Sequence, residues 1–327
     1  MSGATIAQQS VLHSAGPDAA IIAQLAWILF IGGLLLLIGV MVLSALSLRR
    51  GQPVRPMVWL VGGGVLLPLV VLSALLVFGT WRTAQLTQPS SQHAIKIAVI
   101  GHMWWWEVRY TRPDGGEDIV LANEIRVPVG QPVYLGLSSA DVIHSFWAPA
   151  LAGKVDMVPG RVHGMTVQAD RAGIYRAQCA EYCGEQHARM ALHVVAQPPA
   201  EFQAWLAAQG RPAAPAPAAA STPAGTDIDR GRRAFVEQRC SACHTVRGEP
   251  QAAPANSPMS TPVRAPDLTH FGSRLYLGAG ARPNNRANLS AWIADPHVAK
   301  PGVRMPASTD IDPATLRALA AYLESLK

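Results

Sequence analysis

The sequence predicts a chain of three folded parts: two N-terminal transmembrane helices, an all-β sandwich and a C-terminal all-α domain. Three observations predict it. Ile21 to Leu48 and Met57 to Trp81 are long, almost uninterrupted apolar runs. Between about Lys96 and Ala196, short β-branched segments alternate with Gly, Pro and Asp turns. From Asp229 onward the patterning is helical.

Each apolar run is long enough to cross ~30 Å of hydrocarbon as a helix. The first is too long and too late for a signal peptide, and its end lacks the small-residue cleavage pattern. No Lys or Arg precedes Ile21, whereas the connector between the runs holds Arg49, Arg50 and Arg55. The positive-inside rule therefore puts the connector in the cytoplasm and both termini on the outer side. Between about Lys96 and Ala196, Ile-Ala-Val-Ile, Glu-Val-Arg-Tyr, Glu-Ile-Arg-Val-Pro-Val, Val-Tyr-Leu-Gly-Leu and Ala-Leu-His-Val-Val read as strands. They are enough for one sandwich. Pro198 to Gly210 is short and helical, and Arg211 to Gly225 is a Pro/Ala-rich linker too poor in apolar bulk to fold alone. The expected divisions are 1–94, 95–197, 198–226 and 227–327. The net charge of +6 is spread over the connector arginines and the C-terminal domain. No nucleic-acid partner is needed to explain it.

The chemistry is concentrated in two short stretches. The run Cys179-Ala-Glu-Tyr-Cys183-Gly-Glu-Gln-His187-Ala-Arg-Met190, with a distant His144 in Asp-Val-Ile-His-Ser-Phe, gathers two thiols, two imidazoles and a thioether. Soft sulfur donors mixed with imidazole suit copper rather than magnesium or calcium, and zinc has no use for the methionine. A structural disulfide between Cys179 and Cys183 is the plainer alternative, but it would leave the neighbouring histidines and methionine without a purpose. Two cysteines with only one histidine could make a mononuclear blue-copper site, but the spare thiolate argues for two metals.

The second stretch is Cys240-Ser-Ala-Cys243-His244, the pattern in which two thiols bond haem vinyl groups and the histidine ligates iron. A thioredoxin-like pair would expect a preceding strand and βαβ context. Here Asp229 to Arg239 reads instead as a helix running into Cys240. Three downstream side chains compete for the opposite face of the iron: Met305 in Gly-Val-Arg-Met-Pro, Met259, and His270 in Asp-Leu-Thr-His-Phe. Met305 is the favoured ligand by spacing and loop setting, and Met/His ligation raises a haem's potential. All four cysteines belong to these two motifs, which leaves none for a lipid anchor near the N-terminus.

From Gly101 to Met190 the chain resembles the CuA domain of cytochrome c oxidase subunit II, a cupredoxin-like sandwich. The resemblance includes Gly-His-Met-Trp-Trp-Trp-Glu at 101–107 and Gly-Lys-Val-Asp-Met-Val-Pro-Gly-Arg at 153–161. It implies that Cys179 and Cys183 bridge two coppers and that His144 and His187 each cap one. Met190 and the Glu181 carbonyl would then be weak axial ligands, with the Glu181 side chain serving a magnesium ion shared with subunit I. Trp104 takes the position of electron entry, and alternation along a strand would send Trp104 and Trp106 to one face and Trp105 to the other. Gly231, Phe235 and Tyr322 resemble the helix-crossing contact of class I cytochromes c.

Over essentially its whole length the chain is similar to oxidase subunits II with a fused cytochrome c. The resemblance implies a proton-translocating oxidoreductase of a bacterial inner membrane. Electrons would pass from haem c through CuA to haem in subunit I, where oxygen is reduced. Subunit III and an external cytochrome or other donor are further expected partners. A CuA-bearing subunit of a nitric oxide reductase, or a copper assembly protein, is the alternative. One departure stands out: the family's usual carboxylate at the start of the second span has no counterpart in Trp59-Leu-Val-Gly, which removes the group that would feed a proton path.

Overall fold

A computed structural model of the chain describes residues 6–7, 9–49, 55–86, 95–112, 115–213, 223–249 and 265–327. Arg50, Asp114 and Met259 lie outside these residues.

The first apolar run forms α1 (Pro17–Ser47). It begins four residues before Ile21, because Pro17 supplies a preset φ for the first helical turn and gives up an N–H that no residue could accept. The second run opens as a π-helical stretch, Val58–Leu66, and continues as α2 (Leu67–Leu86). Gly62, Gly63 and Gly64 lie inside the widened stretch, where no side chains hold the tighter α register. Both helices turn their apolar side chains outward, as a lipid-facing surface does: Leu35 is 64% and Leu76 70% exposed. Arg82 near the end of α2 donates to Gln24 near the start of α1, so the pair is antiparallel.

Two sheets face each other in the middle of the chain. One runs in the order β4 (Ile119–Ala122), β3 (Trp105–Tyr110), β2 (Ile95–His102), β6 (Val133–Ser139), β9 (His163–Val167). The other runs β5 (Glu124–Pro128), β11 (Ala191–Gln197), β10 (Gly173–Cys179), β7 (His144–Trp147), β8 (Lys154–Met157), and β1 (Ile6–Ala7) adds to β10. Alternate residues point inward, so Val99, Val108, Leu135 and Leu137 meet Ile125, Phe146, Leu192 and Val194 in one buried core. The five strands read from the sequence lie in β2, β3, β5, β6 and β11. The segments β4 and β7 to β10 lacked a clear alternation, and their pairing partners specify them instead. The start of α1 is fastened to this sandwich: Ala15 N donates to Ala150 O at 2.7 Å and Asp170 N to Ala15 O at 2.7 Å.

Helix α3 (Pro199–Gln209) closes one end of the sandwich, with the fully buried Phe202 and the half-buried Trp205 against Tyr110. Helix α4 (Pro223–Glu237) starts inside the stretch expected to be linker, again at a proline. The C-terminal domain is completed by the short hairpin β12 (Tyr276–Leu277) and β13 (Arg282–Pro283), α5 (Arg286–Ala294) and α6 (Pro313–Ser325). Pro313 sits in the first turn of α6, where Asp312 caps the amides of Ala314 and Thr315 at 2.9 and 3.1 Å. Gly231 lets α4 cross α6 closely, since a Cβ there would overlap the Ala318 carbonyl, and Phe235 packs on Tyr322 at 5.7 Å.

Candidate metal centre and haem site

The end of β10, the loop after it and the start of β7 bring five donor groups into one pocket. Cys179 closes β10 and His144 opens β7, adjacent strands of one sheet. Cys183, His187 and Met190 follow on the loop that leads through a single 3-10 turn, His187–Arg189, back into β11. The two sulfurs are 3.7 Å apart and not bonded. His144 Nδ1 is 3.8 Å from Cys179 Sγ, His187 Nδ1 is 3.7 Å from Cys183 Sγ, and Met190 Sδ is 3.8 Å from Cys183 Sγ. Bonds to zinc of about 2.3 Å from sulfur and about 2.0 Å from nitrogen show that such separations would let each thiol and its imidazole hold a common ion. The donor set therefore fits metal, and its softness fits copper. His144, Cys179, Cys183 and Met190 are buried and His187 is half-buried, so the pocket is dry on one side and reachable on the other.

The surroundings are built to hold these donors. Gly101 on β2 leaves room for the His144 ring, 2.7 Å from where a Cβ would stand. Asp141 accepts from His144 Nε2 at 2.8 Å, which turns Nδ1 toward the sulfurs. Burial alone would lower the His144 pKa, but hydrogen bonds with Asp141 and Cys179 outweigh it and raise it to about 8. The Cys183 hydrogen bond, helped by His144, favours the Cys179 thiolate, and that neighbouring negative charge pushes the Cys183 thiol up. Adjacent thiolates repel, and a metal between them would offset that repulsion. The Asp141 partner was missed in the sequence, although its spacing of three residues before His144 is visible there.

Trp104 is not on the strand that alternation assumed. It lies in the turn between β2 and β3, because β3 begins at Trp105. Its indole Nε1 donates to Cys183 O at 2.8 Å, and its ring lies 3.1 Å from the Cβ position of Gly184, whose φ of +109° favours glycine. Trp106 is fully buried beside His144 and Phe146, whereas Trp105 stacks on His102 at 4.3 Å. Trp104 and Trp106 still pack on the same core, as alternation expected, and Trp105 does not. Glu107, next along the strand, is buried between His102 and Arg109.

Glu181 turns its two polar groups in different directions. Its carbonyl accepts from Cys179 Sγ at 3.2 Å, while its carboxylate points outward to Lys154 at 3.6 Å.

In the C-terminal domain, Cys240 opens a 3-10 turn directly after α4, with Cys243 exposed and Cys240 half-buried. His244 Nδ1 is 2.7 Å from Pro266 O, which fixes the tautomer that leaves Nε2 for iron, so the residues fit a covalently held haem. Met305 is half-buried on the irregular loop before α6, tied down where Ser308 N donates to Ala294 O at 2.8 Å. His270 is buried with Nε2 engaged by Arg211 O at 3.0 Å.

This domain rests on the sandwich beside the metal pocket. Ala191 N donates to Ala279 O at 3.0 Å, Leu275 N to Glu124 Oε2 at 3.0 Å, and Tyr276 stacks on His193 at 4.0 Å. Lys300 is 2% exposed, and burial lowers its pKa to about 7. None of these contact residues stood out in the sequence, since each looks like ordinary surface until two domains meet.

Comparison with known proteins agrees with this architecture. Residues 115–197 match the family described as cytochrome C oxidase subunit II, periplasmic domain, and residues 228–327 match cytochrome c. The chain is 36% identical over 262 residues to cytochrome c oxidase subunit 2 of Alkalihalophilus pseudofirmus, covering 79% of this chain and 70% of that protein. It is 30% identical to the subunit 2 of a Bacillus species over 79% of this chain and 71% of that one. Among solved structures, the periplasmic domain of subunit II of cytochrome oxidase from Bradyrhizobium japonicum is similar at 28% identity, with 37% of this chain and 97% of that one covered and a TM-score of 0.35. The relatives' names do not favour the nitric oxide reductase alternative. On the paired family matches and the extent of the alignment, the chain belongs to the cytochrome c oxidase subunit 2 family and carries a cytochrome c domain in the same polypeptide.

Proposed function

We propose that this chain relays electrons within a haem-copper oxidase, from a haem held by its own C-terminal domain, through a binuclear copper centre in the sandwich, to haem in subunit I, where oxygen is reduced. The observation that carries the reading is the convergence of two thiols, two imidazoles and a thioether at 3.7 to 3.8 Å in one pocket. Two coppers sharing thiolates exchange one electron with little change of geometry, and a Met/His haem is a donor of suitably raised potential.

The residues divide that work. Cys179 and Cys183 would bridge the metals, His144 and His187 would each hold one through Nδ1, and Met190 Sδ and Glu181 O would stand at longer range. Phe146 and Trp106 exclude water behind His144. Cys240 and Cys243 would bond the haem, with His244 and Met305 on opposite faces of its iron. Trp104 would shorten the gap between the two sites. The outward carboxylate of Glu181 would take magnesium at the subunit I interface once Lys154 yields it.

The two apolar helices anchor the chain in a membrane. The fastening of Ala15 to the sandwich supports an arrangement with both termini and both soluble domains on one side, and the arginines of the connector make that the outer, periplasmic side. Subunit III and an external electron donor complete the proposed assembly.

The test is the purified membrane complex. Two coppers and one haem c per copy of this chain, with oxygen consumption, are expected. Cys183→Ser should remove copper and oxygen consumption while the haem c spectrum stays. One copper per chain, or consumption unaffected by Cys183→Ser, would overturn the binuclear relay.

A further inference from the structure

We propose that Lys300 is a positioning residue that sets the register in which the haem domain docks on the copper domain, by placing its ammonium between one carbonyl of each. Its Nζ donates to Trp104 O at 2.6 Å in the sandwich and to Gly278 O at 3.2 Å in its own domain. The inference rests on the relay reading above and adds to it the contact that aligns donor and acceptor.

Lysine is almost never fully buried without a partner, and its solvation is costly to give up. Here the side chain is nearly inaccessible, and both its acceptors are neutral backbone oxygens. Only one of them belongs to the haem domain. Withdrawn from the sandwich, Lys300 would regain water but lose Trp104, and the Trp104 carbonyl would lose the donor that the docked state provides. A displaced docking pose would bury the ammonium against apolar surface with no second acceptor, which is a penalty against every register but one. Either protonation state of the amine keeps N–H donors for the two oxygens.

What the register aligns is visible around it. Trp104, held by Lys300 at its carbonyl, donates through its indole to the carbonyl of Cys183. A chain of hydrogen bonds thus runs from the haem domain through Trp104 to a metal-pocket residue. On either side of Lys300, Arg189 of the metal loop donates to Ala299 O at 3.2 Å, and the Cβ position of Gly302 meets the carboxylate of Glu185. Met305 follows three residues later on the same loop. The loop that carries the expected haem ligand is therefore the loop that is seated against the metal loop, and Lys300 is its buried fixed point.

The experiment uses the full oxidase complex with Lys300→Met, which keeps length and removes every donor, and Lys300→Gln, which restores one. Hydrogen exchange at the amides of Ala191 and Leu275, which bond only across the domain contact, reads docking without reference to electron flow. Flash-initiated haem-to-copper transfer reads the consequence. Lys300→Met is expected to speed exchange at both amides about tenfold, the scale of one charge-assisted hydrogen bond, and to slow transfer by a similar factor. The haem potential and both optical spectra should stay unchanged, and Lys300→Gln should recover part of both effects. Parent-like exchange in Lys300→Met, or loss of the haem spectrum along with docking, overturns the positioning role. Faster exchange in Lys300→Met, in a complex whose parent form shows no haem-to-copper transfer at all, upholds it and overturns the relay reading beneath it.

Discussion

The indole nitrogen of Trp104 donates to the carbonyl of Cys183 at 2.8 Å, so the side chain expected at the electron entry is bonded to the backbone of a metal-pocket residue. Trp104→Leu should slow haem-to-copper transfer by roughly tenfold, since small losses of alignment at a reacting pair are costly. The Lys300 bond goes to the main chain at Trp104 and survives the substitution, so amide exchange at Ala191 and Leu275 should stay at the parent rate. Trp105→Leu, which loses only a stack on His102, should lower stability modestly and leave the rate intact.

Asp141 holds His144 through Nε2 with a separation of 2.8 Å. Asp141→Ala frees the ring to rotate and also strips acceptors from the Met103 and Val142 amides. Copper affinity should fall about ten- to hundredfold, measured by chelator competition on the complex, with metal still bound at saturation.

Met305→Ala should abolish the sulfur-to-iron charge-transfer band and lower the haem potential, because a thioether favours ferrous iron. Survival of that band in Met305→Ala, with its loss in Met259→Ala, would move the ligand to the other methionine.

His193 is a neutral residue by burial. Desolvation, reinforced by Arg176 on the neighbouring strand, lowers its pKa from 6.5 to about 4, while Tyr276 covers its ring and Glu124 stands at the matching register position on β5. A released or unfolded His193 takes up a proton below pH 6.5 and the docked one does not, so the stabilisation is complete above that value and is lost as pH falls toward 4. The slope is at most about 1.4 kcal/mol per pH unit. The protection factor of the Leu275 amide, exchange measured relative to its intrinsic rate, should fall as pH is lowered across this window, and His193→Gln should flatten the dependence.

Gly231→Ala places a methyl group against the Ala318 carbonyl where α4 crosses α6. Overpacking of this kind costs about 1–3 kcal/mol. Thermal unfolding of the haem domain should shift down accordingly, with the copper spectrum untouched.

The sequence by itself determined the parts whose physics is local. Apolar length defines a spanning helix, β-branched alternation a half-buried strand, and Cys-x-x-Cys-His a haem attachment, and each is complete within a few residues. Cys179, Cys183, His187 and Met190 were legible for the same reason, because soft ligands at short offsets declare their chemistry without a fold, whereas the distant His144 was legible through the family resemblance. The tertiary structure decided whatever depends on which surfaces meet. Trp104 lies in a turn rather than on a strand, which brings its indole to the Cys183 carbonyl. The helix start at Pro223 shortens the expected linker, and the carboxylate of Asp141 becomes meaningful only once it faces His144. Lys300 shows the limit most clearly. A lysine before Pro-Gly reads as solvated surface, and it becomes a buried donor only because a segment nearly two hundred residues away presents a carbonyl to it. Burial of a charge is a property of two surfaces together, and no window along one chain contains both.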